Sequence, residues 1–358
     1  MKNRFEKAND LLKKFSADYI LINDSCAACY LSGFKSSNIF LLYEPSKKFL
    51  LTDFRYKTKA QDFCKNKDWN FVEIKNGEFC KEIDRIIRKS SKILFQDNRL
   101  SVEKFEIYKK EIKNISEFIP AGKEIDSLFF TKTEEEINSI KQAANIGDVS
   151  IAQWYSQLKE GMSEFEAARI LDIITLQNGS EKPAFDTIVL FGENSSFPHG
   201  KPSKKRTLKK GDLVLSDFGC TVDDFFSDMT RTVSFGEAKD EVLKIYETVF
   251  EAQRIGVESV KSGVKAKDVD NKVRDCIKNA NFGENFGHGT GHSVGLRVHE
   301  SPALATRDET ILEEGMILTI EPGIYVEGFA GVRIEDMVVI AQNSCEIITK
   351  TTKRFTVI

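Results

Sequence analysis

Two short segments of this 358-residue chain place an acid at the end of an apolar run in the same pattern. In GDLVLSDFG, Gly211 is followed six residues later by Asp217 and eight later by Gly219; in GMILTIEPG, Gly315 is followed at the same intervals by Glu321 and Gly323. A second apolar run after each carries a further acid, Asp228 in SDMTRTV and Glu335 in VRIEDMVV. Taken singly, such acids are ordinarily exposed strand ends or salt-bridge partners; the repetition sets these four apart. Alternation along a strand puts Leu213, Leu215 and Asp217 on one face, and Ile317, Thr319 and Glu321 on one face of theirs. If both faces turn inward, four carboxylates meet where isolated charge is expensive and where each raises the pKa of the others. A pair of divalent cations about 3.5–4 Å apart would neutralise them. Oxygen-rich ligation with a single imidazole favours Mn2+ or Co2+ over a thiolate-seeking ion, with Zn2+ as a further alternative.

The imidazoles are as unevenly placed as the acids. All four, His199, His288, His292 and His299, lie beyond residue 198, and three of them fall within twelve residues in FGHGTGHSVGLRVHE. Competing motifs fail here. His299-Glu300-Ser301-Pro302-Ala303 lacks the second histidine of H-E-x-x-H, and Pro302 would break the helix that motif needs. In GHGTGHSVG, His292 takes the place of the third glycine of the dinucleotide fingerprint.

The elements that must position these residues are legible as pattern. Phe5, Ala8, Leu11, Leu12 and Phe15 recur at helical spacing. From Asp18 to about Ile119 the apolar strands DYILIND, NIFLLY, KFLLTD, WNFVEI and KILFQD alternate with helices through Gln61, near Ile83 to Ile87, and from Ser101, as in an α/β layer. Turn residues at Pro120-Ala121-Gly122 then mark a boundary, dividing the chain into an α/β domain of residues 1–122 and an α+β domain of residues 123–358. Capping-box spacing at Thr133/Glu136 opens a helix that Gly161 ends, and Ser163/Glu166 opens another running towards Gly179. The strands TIVLF, DLVLSDF and RTVSF follow, then two helices between Glu237 and Ala280, then strands to the carboxyl end.

Composition bounds the rest. Hydrophobic residues at 41% and charged residues at 30% suffice for a real core and exclude a disordered chain. Lys plus Arg is 52 against 55 Asp plus Glu, a net charge of −3 that argues against a nucleic-acid or membrane-surface partner. No apolar run approaches membrane-spanning length. MKNRFEKANDLLKKF carries charges where a signal peptide needs an apolar stretch, so a cytoplasmic location is expected. Seven scattered cysteines do not make a disulfide framework, and the lone Cys26-x-x-Cys29 reads as packing.

FDTIVLFGENSSFPHGKPS, GDLVLSDFG, FSDMTRTVSFGE, FGHGTGHSVGLRVHE, TIEPGIY and GVRIED resemble the successive signatures of the pita-bread dinuclear metallopeptidases. The likeness is to their proline-specific branch, Xaa-Pro aminopeptidase and prolidase, and covers about residues 125–358. CYLSGF and LLTDFRY carry a weaker likeness to the creatinase-type amino-terminal domain. The resemblance implies an α/β amino-terminal domain followed by an α+β pita-bread domain of pseudo-twofold symmetry. It implies two divalent ions, most readily Mn2+, held by Asp217, Asp228, His292, Glu321 and Glu335, with Asp228 and Glu335 bridging both. A hydroxide between the ions would be the nucleophile and Glu321 would handle its proton. His299 and His199 would flank the scissile carbonyl and amide nitrogen, catalysing and binding substrate together. His288 would line the proline pocket, and Arg333 would meet the substrate carboxylate or brace an acid. The departures are Ser293, where glycine is usual, and Arg297, where an acid is common.

The activity this implies is release of an amino-terminal residue from peptides with proline second, with a dipeptidase confined to Xaa-Pro as the alternative and a homodimer as the assembly. A binding protein on an inactive scaffold would have lost ligands, whereas all five are present. A creatinase-like hydrolase would lack this metal set, and methionine aminopeptidases usually lack such a first domain.

Overall fold

The computed structural model describes residues 3–75 and 77–358, and the chain divides into two compact units, Met1–Phe129 and Phe130–Ile358. The first contains strands β1 (Tyr19–Ile22), β2 (Ile39–Glu44), β3 (Lys47–Asp53), β4 (Asn70–Ile74), β5 (Ser91–Phe95) and β6 (Ile115–Pro120). Its helices are α1 (Arg4–Phe15), α2 (Ser25–Ser32), α3 (Lys57–Lys65), α4 (Phe79–Ile86), α5 (Val102–Glu111) and α6 (Gly122–Ser127). One sheet of order β4-β3-β2-β1-β5-β6 forms the layer, with β1, β5 and β6 parallel and β2 antiparallel to both its neighbours. Phe79 and Ile83 of α4 and Tyr108 of α5 bury against Leu21, Leu42, Leu51 and Ile93, so each helix covers the sheet with its apolar stripe.

Two elements escape the sequence pattern. Cys26 and Cys29 lie in α2, whose amino end is capped by Asp24 accepting the Ala27 N–H at 2.8 Å; two turns are too few for periodicity to reveal a helix. The other, β6, is an edge strand ending at Pro120, whose missing N–H an edge tolerates. Helix α6, which begins at the expected boundary, packs with the first unit, where Asp126 accepts from Gln96 at 3.2 Å and Asn98 at 2.7 Å. Among the described residues no disulfide joins the cysteines.

The second unit opens with α7 (Glu134–Tyr155) and α8 (Glu164–Gln177). Both start in the reciprocal capping boxes that the spacing predicts, at Thr133/Glu136 and Ser163/Glu166. Helix α7 stops well before Gly161 because the chain must reverse for α8 to pack back on it, where Trp154 donates its indole N–H to the Ala167 carbonyl at 2.8 Å. Then follow β7 (Ile188–Phe191), β8 (Asp212–Phe218), β9 (Thr221–Val222), β10 (Phe225–Phe226), β11 (Met229–Phe235), α9 (Asp240–Ser259) and α10 (Ala266–Asn279). The chain ends with β12 (Gly291–Ser293), β13 (Glu300–Leu304), β14 (Ile317–Ile320), β15 (Gly323–Val326), β16 (Ala330–Arg333), β17 (Asp336–Ile340) and β18 (Cys345–Ile347).

The sequence repeat becomes a pair of antiparallel hairpins. Strand β8 pairs with β11 inside the sheet β11-β8-β7, and β14 pairs with β17 inside the sheet β13-β12-β14-β17-β18. Ile151, Trp154 and Leu171 of the first helix pair cover Val189, Val214 and Phe218, while Ala266 and Val269 of α10 cover Leu318, Ile320 and Val338. Both sheets are thus backed by an apolar layer, which leaves the acid-bearing strand ends to face a cavity.

Candidate metal centre

Strand register decides which way the acids point. Asp217 sits opposite Thr230, and Ile320 opposite Asp336. Asp228 is two residues from Thr230 and so shares the face of Asp217; continuing the second ladder by one step puts Glu335 opposite Glu321 on a common face. The second acids are therefore not at equivalent places in the two hairpins, yet both pairs project the same way. His292 enters from β12, which lies between β13 and β14. A Cβ at Gly291 would stand 1.9 Å from the Thr319 carbonyl oxygen, so only glycine lets these strands approach so closely. The closeness serves the site: the Thr319 hydroxyl accepts the His292 N–H at 3.0 Å and donates to Glu321 Oε1 at 3.2 Å.

A cavity of about 360 Å³ results, lined by all nine residues that the sequence singles out: Asp217, Asp228, His292, Glu321, Glu335, His199, His288, His299 and Arg333. Phe185, Ile188, Pro198, Val298, Ala303 and Ala305 make its apolar wall. Ligand atoms of Asp228, His292 and Glu335 lie within 4.8 Å of one another, and His292 Nε2 is 3.2 Å from Glu321 Oε1 and 3.7 Å from Asp228 Oδ2. His292 Nδ1 faces the Ser293 carbonyl at 3.1 Å, which assigns the proton to Nδ1 and leaves Nε2 to the acids.

The donor set fits divalent cations. Glu335 is buried, and one carboxylate oxygen accepts the Thr230 hydroxyl at 2.8 Å, while the other, Oε1, is buried with no hydrogen-bond partner. Leaving such an oxygen unsatisfied costs about 1–3 kcal/mol or more, and a cation shared with Asp228 and His292 would satisfy it.

Arg333 is braced against the acids. Its Nη2 meets Asp217 Oδ2 at 2.6 Å, Nε meets Thr230 Oγ1 at 2.9 Å, and Nη1 meets Tyr325 Oη at 2.9 Å and the Pro198 carbonyl at 3.3 Å. The His288 ring is also engaged, Nδ1 with the Gly289 carbonyl at 2.8 Å and Nε2 with Tyr325 Oη at 2.9 Å, so it offers the cavity a ring surface. His299 is exposed, with its ring 4.5 Å from that of His292, edge to face. His199 lies on the segment between β7 and β8, which the buried Glu164 carboxylate ties on either side of it: the carboxylate accepts the Phe191 N–H at 2.7 Å and the Ser203 N–H at 2.8 Å. Thr230, Tyr325 and Glu164 escape sequence reasoning. Thr230 shares a strand face with Asp228 and Tyr325 follows Gly323 by two, so alternation could have found those two. Of the two departures, Ser293 is buried in β12 opposite Leu318, and Arg297 lies outside the cavity lining.

Electrostatics among these side chains give a pH dependence. Burial, then the charges of Glu335, Asp217 and Glu321, hold Asp228 well above the usual carboxylate range; burial, then Glu321 and Asp217, do the same to Glu335. Burial pulls the His292 imidazole down, but the Glu321 hydrogen bond and charge prevail and raise it to about 9. Burial likewise opposes Glu321, yet His292 brings it down to about 2. A group whose folded pKa is raised stabilises the fold below its unfolded pKa and loses that contribution as pH climbs. For the two acids the loss starts near pH 4, and for His292 it runs from about 6.5 to about 9. Cations would take the place of these protons. Chelated protein should therefore melt at progressively lower temperature as pH rises, and the gap to ion-loaded protein in calorimetry should widen; a narrowing gap would refute proton–cation exchange.

The fold and this cluster define a hydrolase of the metallopeptidase class. The model of Metallopeptidase family M24 matches residues 138–342, and that of the Creatinase/Prolidase N-terminal domain matches residues 4–128. The chain belongs to metallopeptidase family M24 and has the pita-bread catalytic fold behind an amino-terminal creatinase-type domain. It is 36% identical to the Xaa-Pro dipeptidase of Pyrococcus furiosus over 98% of this chain and 99% of that protein. The solved structure of Xaa-Pro dipeptidase from Bacillus anthracis superposes with a TM-score of 0.92 at 33% identity, covering 99% of each chain. That of X-Pro aminopeptidase from Thermotoga maritima gives 0.86 at 34% identity, covering 99% of this chain and all of that one.

Proposed function

We propose that this chain hydrolyses the peptide bond between a first residue and a following proline, with Xaa-Pro dipeptides as its preferred substrates. The observation that carries the hydrolytic reading is the buried, partnerless Oε1 of Glu335 among three other acids and His292. The proline reading and the preference for dipeptides draw on the Pyrococcus furiosus and Bacillus anthracis relatives. A bond before proline is a tertiary amide with no N–H and a fixed ring, so enzymes that hold substrates as extended strands handle it poorly, and a shaped cavity avoids the difficulty.

Asp217, Asp228, His292, Glu321 and Glu335 would hold two divalent cations; the oxygen-rich set favours Mn2+. The bound cations supply Lewis acidity and lower the pKa of a nearby water. Glu321 takes the proton that the attacking water gives up and returns it to the prolyl nitrogen as the C–N bond breaks. Burial, then the charge of His292, pulls the His299 pKa down, so its neutral ring can donate to the carbonyl oxygen as that oxygen gains charge, with His199 flanking the leaving nitrogen. His288 supports the wall of the proline pocket through Tyr325. Arg333, with four acceptors already on its guanidinium, braces Asp217 and does not bind the substrate carboxylate.

The Thermotoga maritima neighbour favours a second reading, cleavage of longer peptides by the same site. The two readings separate in an assay of Xaa-Pro against Xaa-Pro-Xaa with manganese-loaded protein. The dipeptide should be cleaved with kcat/KM at least about tenfold higher; the reverse order would establish the aminopeptidase reading, and no cleavage of either would end the proline assignment. A homodimer and a cytoplasmic location complete the proposal, the former testable by light scattering of the same preparation. Among the described residues no helix is long and apolar enough to cross a membrane.

A further inference from the structure

We propose that the buried ion pair of Arg231 and Asp336 is a positioning element that sets the spacing of the two acid-bearing hairpins, and through it the cation affinity of the site. The inference rests on the metal-centre reading above and assigns work to two residues outside the cavity. Arg231 follows Thr230 on β11 and so points to the opposite face of the strand. Its side chain is 2% exposed and that of Asp336 0%.

The guanidinium is fully used. Nε meets the Thr351 carbonyl at 3.2 Å, and Nη2 meets Thr351 O and Asp336 Oδ1, both at 2.8 Å. The remaining nitrogen, Nη1, meets Thr230 O at 3.0 Å and the Glu335 carbonyl. These contacts match the five N–H donors that arginine carries. Asp336 is as completely engaged, taking in addition the Thr349 hydroxyl at 2.8 Å, the Gln253 amide at 3.0 Å and the Lys353 ammonium.

The location of this pair gives it a role beyond cohesion. Strands β11 and β17 belong to different sheets, so the distance between Asp228, which immediately precedes one, and Glu335, which immediately precedes the other, is not set by a common ladder. Arg231 spans that seam, gripping a carbonyl on each side, while the Glu335 N–H returns to Thr230 O at 3.1 Å. The Glu335 backbone is therefore held through both its N–H and its C=O. A buried ion pair is weak evidence for net stability, since apolar replacements often do as well. A planar fork reaching three carbonyls and a carboxylate at once is something that neither an apolar residue nor lysine reproduces.

The test is Arg231→Lys, which keeps a buried cation but cannot bridge both carbonyls, with Asp336→Asn as the shape-preserving second variant should the first not fold. Near-UV circular dichroism selects folded protein, and calorimetric titration with Mn2+ reads the site. The parent should take two equivalents; in the variant the affinity for at least one should fall roughly 10–100-fold, with kcat lowered and KM little changed. A merely structural pair would lower the melting temperature while leaving Mn2+ affinity and kcat of the folded variant at parent values, which would overturn the proposal alone. A parent that takes fewer than two equivalents would overturn the metal-centre reading and this inference with it.

Discussion

Replacing Glu335 with glutamine is expected to reduce turnover by more than about 100-fold, beyond what removal of an outer partner of a metal site costs, and to lower the bound ions from two to one or none. The substitution keeps size and shape. The amide oxygen can still accept the Thr230 hydroxyl, which now bonds Oε2 at 2.8 Å. The amide nitrogen then falls where Oε1 lies buried without a partner, presenting hydrogens where a cation needs a lone pair. Stability should move the other way. Glu335 is held well above the usual carboxylate range by burial and by Glu321 and Asp217, so in chelated protein its contribution to stability is lost as pH climbs past its unfolded pKa. Glutamine removes that loss, and chelated Glu335→Gln should melt at or above the chelated parent near pH 8. Elemental analysis, a turnover assay and calorimetry together check the three results. Full ion content with parental turnover would sink the assignment of Glu335 as a ligand.

The companion result is His299→Ala, which should keep both ions yet lose about 100-fold or more in kcat. His299 sets its ring edge to face on His292 at 4.5 Å and is solvent-exposed where it lines the cavity, so its removal leaves the acids in place. An interaction made only as charge develops on the carbonyl oxygen lowers kcat and kcat/KM together and leaves KM nearly unchanged. A variant that instead lost a cation would show His299 to be a ligand and would redraw the donor set. Performed side by side, the two substitutions separate holding the ions from using them.

The candidate site was legible in the sequence as a clustering of acids because strand alternation is a local property. Asp217 and Glu321 each share a face with the apolar residues two and four positions before them wherever the strand lies, and the glycine-bounded repeat marked both strands. Asp228 and Glu335 were marked only as the further acid that the next apolar run carries in each half. Capping boxes are equally local, and both begin helices where the spacing placed them. Two elements were lost for local reasons as well: α2 is only two turns, too short for period to speak, and β6 is an edge strand ending in proline with no buried residue, so no apolar run marks it.

What only the tertiary structure decided is where those faces meet and how the charges there are balanced. Arg333 finds its partners at Pro198, Asp217, Thr230 and Tyr325, a set that no local pattern names. The orphan oxygen of Glu335, the Tyr325 hydroxyl behind His288 and the Arg231 bridge across the seam belong to the same category. Each depends on two sheets packing at one register, across separations of up to more than a hundred residues, and a pattern of period two carries no information about that distance.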